Sequence, residues 1–287
     1  MKLRHSYFTY TNQVFNYAHG YEDSKELFEK NLKENPDHPC LLHYEKYPIE
    51  YRTNNHGFRS PSDIVKGFDG NVYLGCSHTF GTGHYFENVW VNKLNEKVGG
   101  KCLNLGVPGT GIGTGSRLLN DLLGIIKPKN IFCHYIHPYR YELFDWRKQQ
   151  WRCYSPVIPN EALPEIPKNM VKFYAEEQFA RSYYRAHFAL IKDIARKMGA
   201  KLFSVEYRHQ NLLKGIYSSR IDNPPVPFIA RDMLHCNVLW HQNIADRFYE
   251  HYLNDTPPVE FPPDEEIAIE NQTLRSKLQG VIPKTLL

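Results

Sequence analysis

Three short stretches of the chain carry residue types that suit one kind of chemistry. They are Gly75-Cys76-Ser77-His78-Thr79-Phe80-Gly81, Asn104-Leu105-Gly106-Val107-Pro108-Gly109 and Asp232-Met233-Leu234-His235. Acyl transfer needs an exposed hydroxyl at a strand-to-helix turn, backbone N–H donors for an oxyanion, and an oriented imidazole. Gly75 permits a tight turn, and the N-terminus of a following helix favours developing negative charge. Taken singly, these residues have bland explanations: Ser77 as a helix N-cap, Asp232 as a turn cap, His235 as a first-turn surface residue. Their combination points to chemistry.

Other readings of nearby residues fail on pattern. The glycines at 106, 109, 111, 113 and 115 match neither the G-x-G-x-x-G nor the P-loop spacing and lack the P-loop lysine, so no nucleotide site is expected. Cys133, His134 and His137 have no second cluster to complete a metal site. No cofactor and no metal are expected.

The elements that must position the three stretches alternate between strand and helix. Asn71–Gly75 reads as a strand, and Phe86, Val89, Trp90, Leu94 and Val98 follow at helical spacing. Lys101–Val107 is a second strand, Leu118, Leu119, Leu122, Leu123 and Ile126 mark a second helix, and Asn130–Ile136 is a third strand. A long helix carries Tyr184, Phe188, Ile191, Ala195 and Met198 and ends at Gly199, before a strand at Lys201–Glu206. Asn237–Leu253 is the last helix, with Ile244, Ala245, Phe248 and Tyr252 inward. Such alternation predicts a parallel sheet covered on both faces, with functional groups at the carboxyl ends of its strands. Residues 1–48 read as a Tyr-rich extension with a helix near Ser24–Lys33 and a break at Pro36/Pro39. The catalytic unit is expected over 49–254. Residues 139–169, with Trp146 and Trp151, read as an insertion or lid, and 255–287 as a Pro-rich, charged tail.

Composition narrows the function classes. With 287 residues, the chain suits one α/β domain with extensions. Its net charge of +4 is scattered, so no nucleic-acid footprint is expected. No apolar run is long enough to span a membrane, and Met1–Tyr7 lacks the apolar core of a secretory signal. Six unclustered cysteines suit buried thiols in a reducing, cytoplasmic setting. Aromatics make up 14%, a high share that reads as a rich core.

The three stretches, in this order, resemble the SGNH/GDSL hydrolase family. Its GDS-x-T-x-G block appears as Gly75 to Gly81, its N-x-G-x-x-G block as Asn104 to Gly109, and its D-x-x-H-x-N block as Asp232, His235 and Asn237. Asn54-Asn55-His56-Gly57-Phe58-Arg59 is similar to the N-x-x-GFR lead-in of bacterial members, and His241-Gln242 and Ile244-Ala245 look like the family's last helix. The resemblance spans residues 50–253. It implies a three-layer α/β/α sandwich with a flavodoxin-like parallel sheet. It also implies Ser77 as nucleophile, His235 as general base and Asp232 as its orienting acid, with the N–H groups of Ser77 and Gly109 in the oxyanion hole.

Two departures stand out. Cys76 replaces the Asp of the first block, which is not the triad acid but makes a structural hydrogen bond. The Asn that the family uses as a third oxyanion donor is missing after the third strand, where His134-Tyr135-Ile136-His137-Pro138-Tyr139-Arg140 stands. His137 is expected to donate in its place, with Tyr139 or Arg140 as alternatives. The resemblance implies hydrolysis of a carboxylic ester of a small molecule or carbohydrate, an O-acetyl ester by preference. An O-acyltransferase with the same triad and a non-catalytic binding protein on the same fold are the rivals. Oligomeric state is left open.

Overall fold

The structure is a computed structural model, and it describes residues 11–18, 23–135, 138–145, 150–154, 174, 176–205 and 229–258. At its centre lie four parallel strands, β3 (Asn71–Gly75), β4 (Cys102–Asn104), β5 (Asn130–His134) and β8 (Lys201–Ser204). Their order is β4-β3-β5-β8, with Val72 opposite Leu103 on one side and Ile131 on the other, and Ile131 opposite Leu202. Counted along the sheet this is 2-1-3-4, the flavodoxin-like order.

Successive side chains of each strand serve opposite faces. Val72, Leu74 and Ile131 pack with α5 (Ile112–Leu122) through Leu118 and Leu119, and with α6 (Glu177–Met198) through Phe188 and Ile191. Tyr73, Phe132 and Phe203 face the other way, onto α4 (Trp90–Val98) and α7 (Val238–Leu253). There the rings form a ladder across the sheet, Tyr73 to Phe132 and Phe132 to Phe203 both at 5.2 Å, and Trp90 stacks on Phe248 at 4.8 Å. The result is a three-layer α/β/α sandwich.

Two N-terminal helices, α1 (Lys25–Glu34) and α2 (Pro39–Lys46), join the first of these cores through Phe28, Leu41 and Tyr44. Ser24 caps α1 by accepting from the Leu27 N–H. Pro39, expected to break structure, instead opens α2 as its first residue, where its missing N–H costs nothing. β1 (Val14–Phe15) pairs antiparallel with β2 (Tyr51–Arg52).

Several expected boundaries shift for local reasons. The helix expected from Phe86 is a 3-10 turn (Phe86–Asn88) and then α4, because Val89 is extended between them. Past Asn104 the second strand continues only as single bonds, Leu105 N–H to Tyr73 O and Val107 N–H to Gly75 O. The stretch at 139–169, read as an aperiodic insertion, contains an antiparallel hairpin, β6 (Tyr141–Asp145) with β7 (Gln150–Tyr154). Trp146 and residues 155–169 lie outside the described residues, as do Ile136, His137 and residues 259–287. Among the described residues, no helix is long and apolar enough to cross a membrane.

Candidate active site

The carboxyl end of β3 admits only glycine at its last position. A Cβ on Gly75 would lie 1.9 Å from Thr79 Oγ1 and 2.6 Å from the His134 carbonyl oxygen. The chain therefore turns at once into α3 (Ser77–Phe80), a single helical turn that Ser77 opens. Cys76 precedes it with no side-chain capping bond; its carbonyl accepts from Thr79 and Phe80. As the first helical residue, Ser77 has no intrahelical partner for its own N–H. With so short a helix, anion support comes from such N–H groups rather than from a macrodipole.

The second stretch is fastened to this turn. Asn104 Nδ2 donates to Thr79 O at 2.8 Å while its Oδ1 accepts from Gly106 N–H at 2.9 Å. Gly106 lies so close to α3 that a Cβ there would sit 2.5 Å from Phe80 N. The loop then passes Gly109, which has φ +72° and is half-buried, at the end of the sheet where Ser77 sits.

The lead-in stretch has a structural task. Arg59, 2% exposed, donates to the carbonyls of Gly81 (2.6 Å), His84 (2.9 Å) and Phe80 (3.3 Å). Burial lowers its pKa to about 10, so it remains a cation at neutral pH and clamps the end of α3.

Asp232 is 1% exposed and spends both oxygens within its own loop. Oδ2 meets His235 Nδ1 at 2.5 Å, and Oδ1 accepts the N–H groups of Leu234 (3.0 Å) and His235 (3.1 Å). Met233, left-handed at φ +57°, bends the chain so that both can form. Burial alone would raise the Asp232 carboxyl. The facing imidazole and the three hydrogen bonds outweigh it and hold the group below its ordinary value. An ionised Asp232 favours the His235 tautomer that carries its proton on Nδ1.

This loop meets the Ser77 turn at several points. The His78 ring lies 5.3 Å from that of His235 and 4.8 Å from that of Trp240. His84 Nε2 donates to Cys236 O at 2.6 Å; burial lowers its pKa to about 4, so it is neutral. Arg231 N–H donates to Gly83 O at 2.8 Å. Asp232 and His235 are thus hydrogen-bonded to each other and packed against the turn that carries Ser77. Among the described residues no hydrogen bond joins the Ser77 hydroxyl to the His235 ring.

His137 lies outside the described residues. Of its alternatives, the Tyr139 ring is buried in a cluster with Tyr141 and Tyr154, and the Arg140 carbonyl presses on Gly111. His134 ends β5 with its ring 5.5 Å from that of Trp240. All six cysteines are buried and outside any disulfide, and burial pushes the Cys133 thiol up to about 12. Sequence reasoning passed over His78 and His84, and it missed the group that Asp23 and Tyr51, from distant parts of the chain, form with Arg231. Only the last of these carried a signal, by standing next to Asp232.

No family model matches this chain, and no curated protein does. Among solved structures the chain is similar to the one described as "Crystal Structure of TesA", with 14% identity and a TM-score of 0.30, over 63% of this chain and 97% of that one.

Proposed function

We propose that this protein is a serine hydrolase that cleaves a carboxylic ester through an acyl-Ser77 intermediate. One observation carries the reading: a buried carboxylate, Asp232, held against His235 Nδ1 at 2.5 Å, in a loop packed on the strand-to-helix turn that bears Ser77. In this reading Ser77 Oγ attacks the acyl carbon as His235 Nε2 takes the hydroxyl proton. The tetrahedral oxyanion is received by the N–H groups of Ser77 and Gly109, and collapse expels the alcohol, which takes the proton back from His235. Water then repeats the cycle on the acyl-serine. His137 is the proposed third donor to the oxyanion, and acetyl esters, including O-acetylated carbohydrates, are the first substrates to try. An acyltransferase would use the same steps with an alcohol in place of water. Cys76 and the missing third-block Asn favour a different second reading, a binding protein on the same fold. Kinetics separate them: Ser77→Ala and His235→Ala should each lower ester turnover by at least about 10³-fold, and the double variant little further, since parts of one unit are non-additive. An active His235→Ala protein would reject the assignment.

A further inference from the structure

Four residues from four separate parts of the chain close a ring of hydrogen bonds beneath the acid–base loop. Arg231 donates to Asp23 through Nε (2.9 Å to Oδ1) and Nη2 (2.7 Å to Oδ2). The Tyr51 hydroxyl donates to Asp23 Oδ2 and accepts the Gly83 N–H at 2.8 Å. The Gly83 carbonyl accepts the Arg231 N–H at 2.8 Å, which completes the ring. Gly83 lies six residues beyond Ser77, and Arg231 immediately precedes Asp232. The ring is therefore a tie between the nucleophile turn and the loop that carries Asp232 and His235. Both charged side chains are sealed, with Arg231 1% and Asp23 0% exposed.

The N-terminal segment adds further grips on the same loop. Asn31 Nδ2 donates to Asp232 O at 3.1 Å, the Tyr44 hydroxyl to Ile229 O at 2.8 Å, and Arg231 Nη2 to Asn16 O at 2.5 Å. A buried ion pair contributes little to stability against an apolar pair of equal volume, so stability alone gives no reason for one here. Position supplies one. Gly83 is packed so closely that a Cβ on it would lie 3.1 Å from Arg231 N and 3.3 Å from Asp232 Oδ1, so any movement of this loop reaches the carboxylate that orients His235.

We propose that Asp23 is a positioning residue for the acid–base pair: through Arg231 and Tyr51 it fixes the loop that presents Asp232 to His235 and neutralises the guanidinium beside that pair. The assignment rests on the proposed function for its meaning, but its geometry and charge can be read without turnover. Burial raises the Asp23 carboxyl above its ordinary value, against the lowering pull of the Arg231 hydrogen bonds and charge; burial likewise works against the Arg231 charge, and there the Asp23 carboxylate outweighs it. Among the described residues, the other titratable groups facing this pair are Tyr51, Tyr17, Tyr44, Asp232 and the more distant Arg59. Those facing His235 among the described residues are Asp232, His78, His84 and His241.

The test follows the His235 imidazole by NMR titration in the full chain, its resonances assigned by their loss in His235→Gln. Asp23→Asn leaves the Arg231 cation uncompensated and should lower the His235 midpoint by about half to one pH unit, because a nearby cation disfavours imidazolium. Arg231→Gln leaves the sealed Asp23 carboxyl without its counter-charge, so Asp23 takes up a proton and the midpoint should stay close to the wild-type value, as it should in the double variant. Tyr51→Phe changes no charge at neutral pH. It should leave the midpoint in place yet slow fluorophosphonate capture by Ser77 about tenfold or more. Tyr51→Phe and the double variant keep the question answerable if a single charge variant does not fold. An unmoved midpoint in folded Asp23→Asn, or an equal fall in Arg231→Gln, overturns the proposal. So does unchanged capture in Tyr51→Phe where the wild type is captured at Ser77. A lowered midpoint in Asp23→Asn alone, in a protein that captures no probe, would keep the electrostatic tie and reject the serine-hydrolase reading instead.

Discussion

Replacing Asp232 by Asn tests the orienting carboxylate with almost no change of shape. The two bonds that Oδ1 accepts, from Leu234 and His235 N–H, survive on the amide oxygen. The bond at Oδ2 does not, because an NH₂ group now stands 2.5 Å from His235 Nδ1, donor against donor. The ring escapes by moving its proton to Nε2, which removes the base. In triads of this type the wrong tautomer costs about 10⁴-fold, or ~5.5 kcal/mol of barrier. The expected result is a fall of that order in the rate of fluorophosphonate capture, with the melting temperature lowered by only a few degrees. Asp232→Ala should differ, since it removes both the partner of the His235 ring and the acceptor of the part-buried Leu234 and His235 N–H groups, and so unfolds more readily. The pH dependence has a fixed sign. The folded carboxyl is held below its ordinary value, so its contribution to stability is present above about pH 3.9 and is lost as the pH falls through the folded value. The stability gap between wild type and Asp232→Asn should therefore narrow in acid. Capture by Asp232→Asn within tenfold of the wild-type rate would refute this reasoning.

Two substitutions probe the scaffold. Gly75→Ala drives a methyl to 1.9 Å from Thr79 Oγ1 and should cost about 1–3 kcal/mol or more in chemical denaturation, with capture by Ser77 lost beyond what unfolding explains. Arg59→Met removes donors from three buried carbonyls and should lower stability by roughly 3–5 kcal/mol, read as a fall of about 10 °C or more in melting temperature.

What could be read from the sequence was mostly local. Asn71–Gly75 matches its strand residue for residue, because a short apolar run bounded by glycine has one interpretation. Gly199 ends α6 in the left-handed conformation that glycine adopts without cost. The bond between Asp232 and His235 spans three residues, so spacing alone suggests it. Features that depend on distant partners left little trace. Pro39 looks like a breaker until its place at a helix start is known, and the break at Val89 hides in an unbroken apolar periodicity. The hairpin β6–β7 is short and tyrosine-rich, and its two faces do not alternate clearly enough to mark it. Least legible is the pairing of Asp23 with Arg231 across 208 residues, since one acid and one base carry no periodic signal. Arg59 belonged to a recognisable lead-in, yet its hold on the Gly81 and His84 carbonyls follows only from the fold.

The central claim is that Ser77 is an activated nucleophile, and covalent capture tests it before any substrate is known. The native protein is treated with a fluorophosphonate probe, digested and mapped by mass spectrometry. One adduct is expected, on the peptide carrying Ser77, abolished in Ser77→Ala and strongly slowed in His235→Ala. A native protein that takes no probe, or takes it equally with Ser77 replaced, would contradict it.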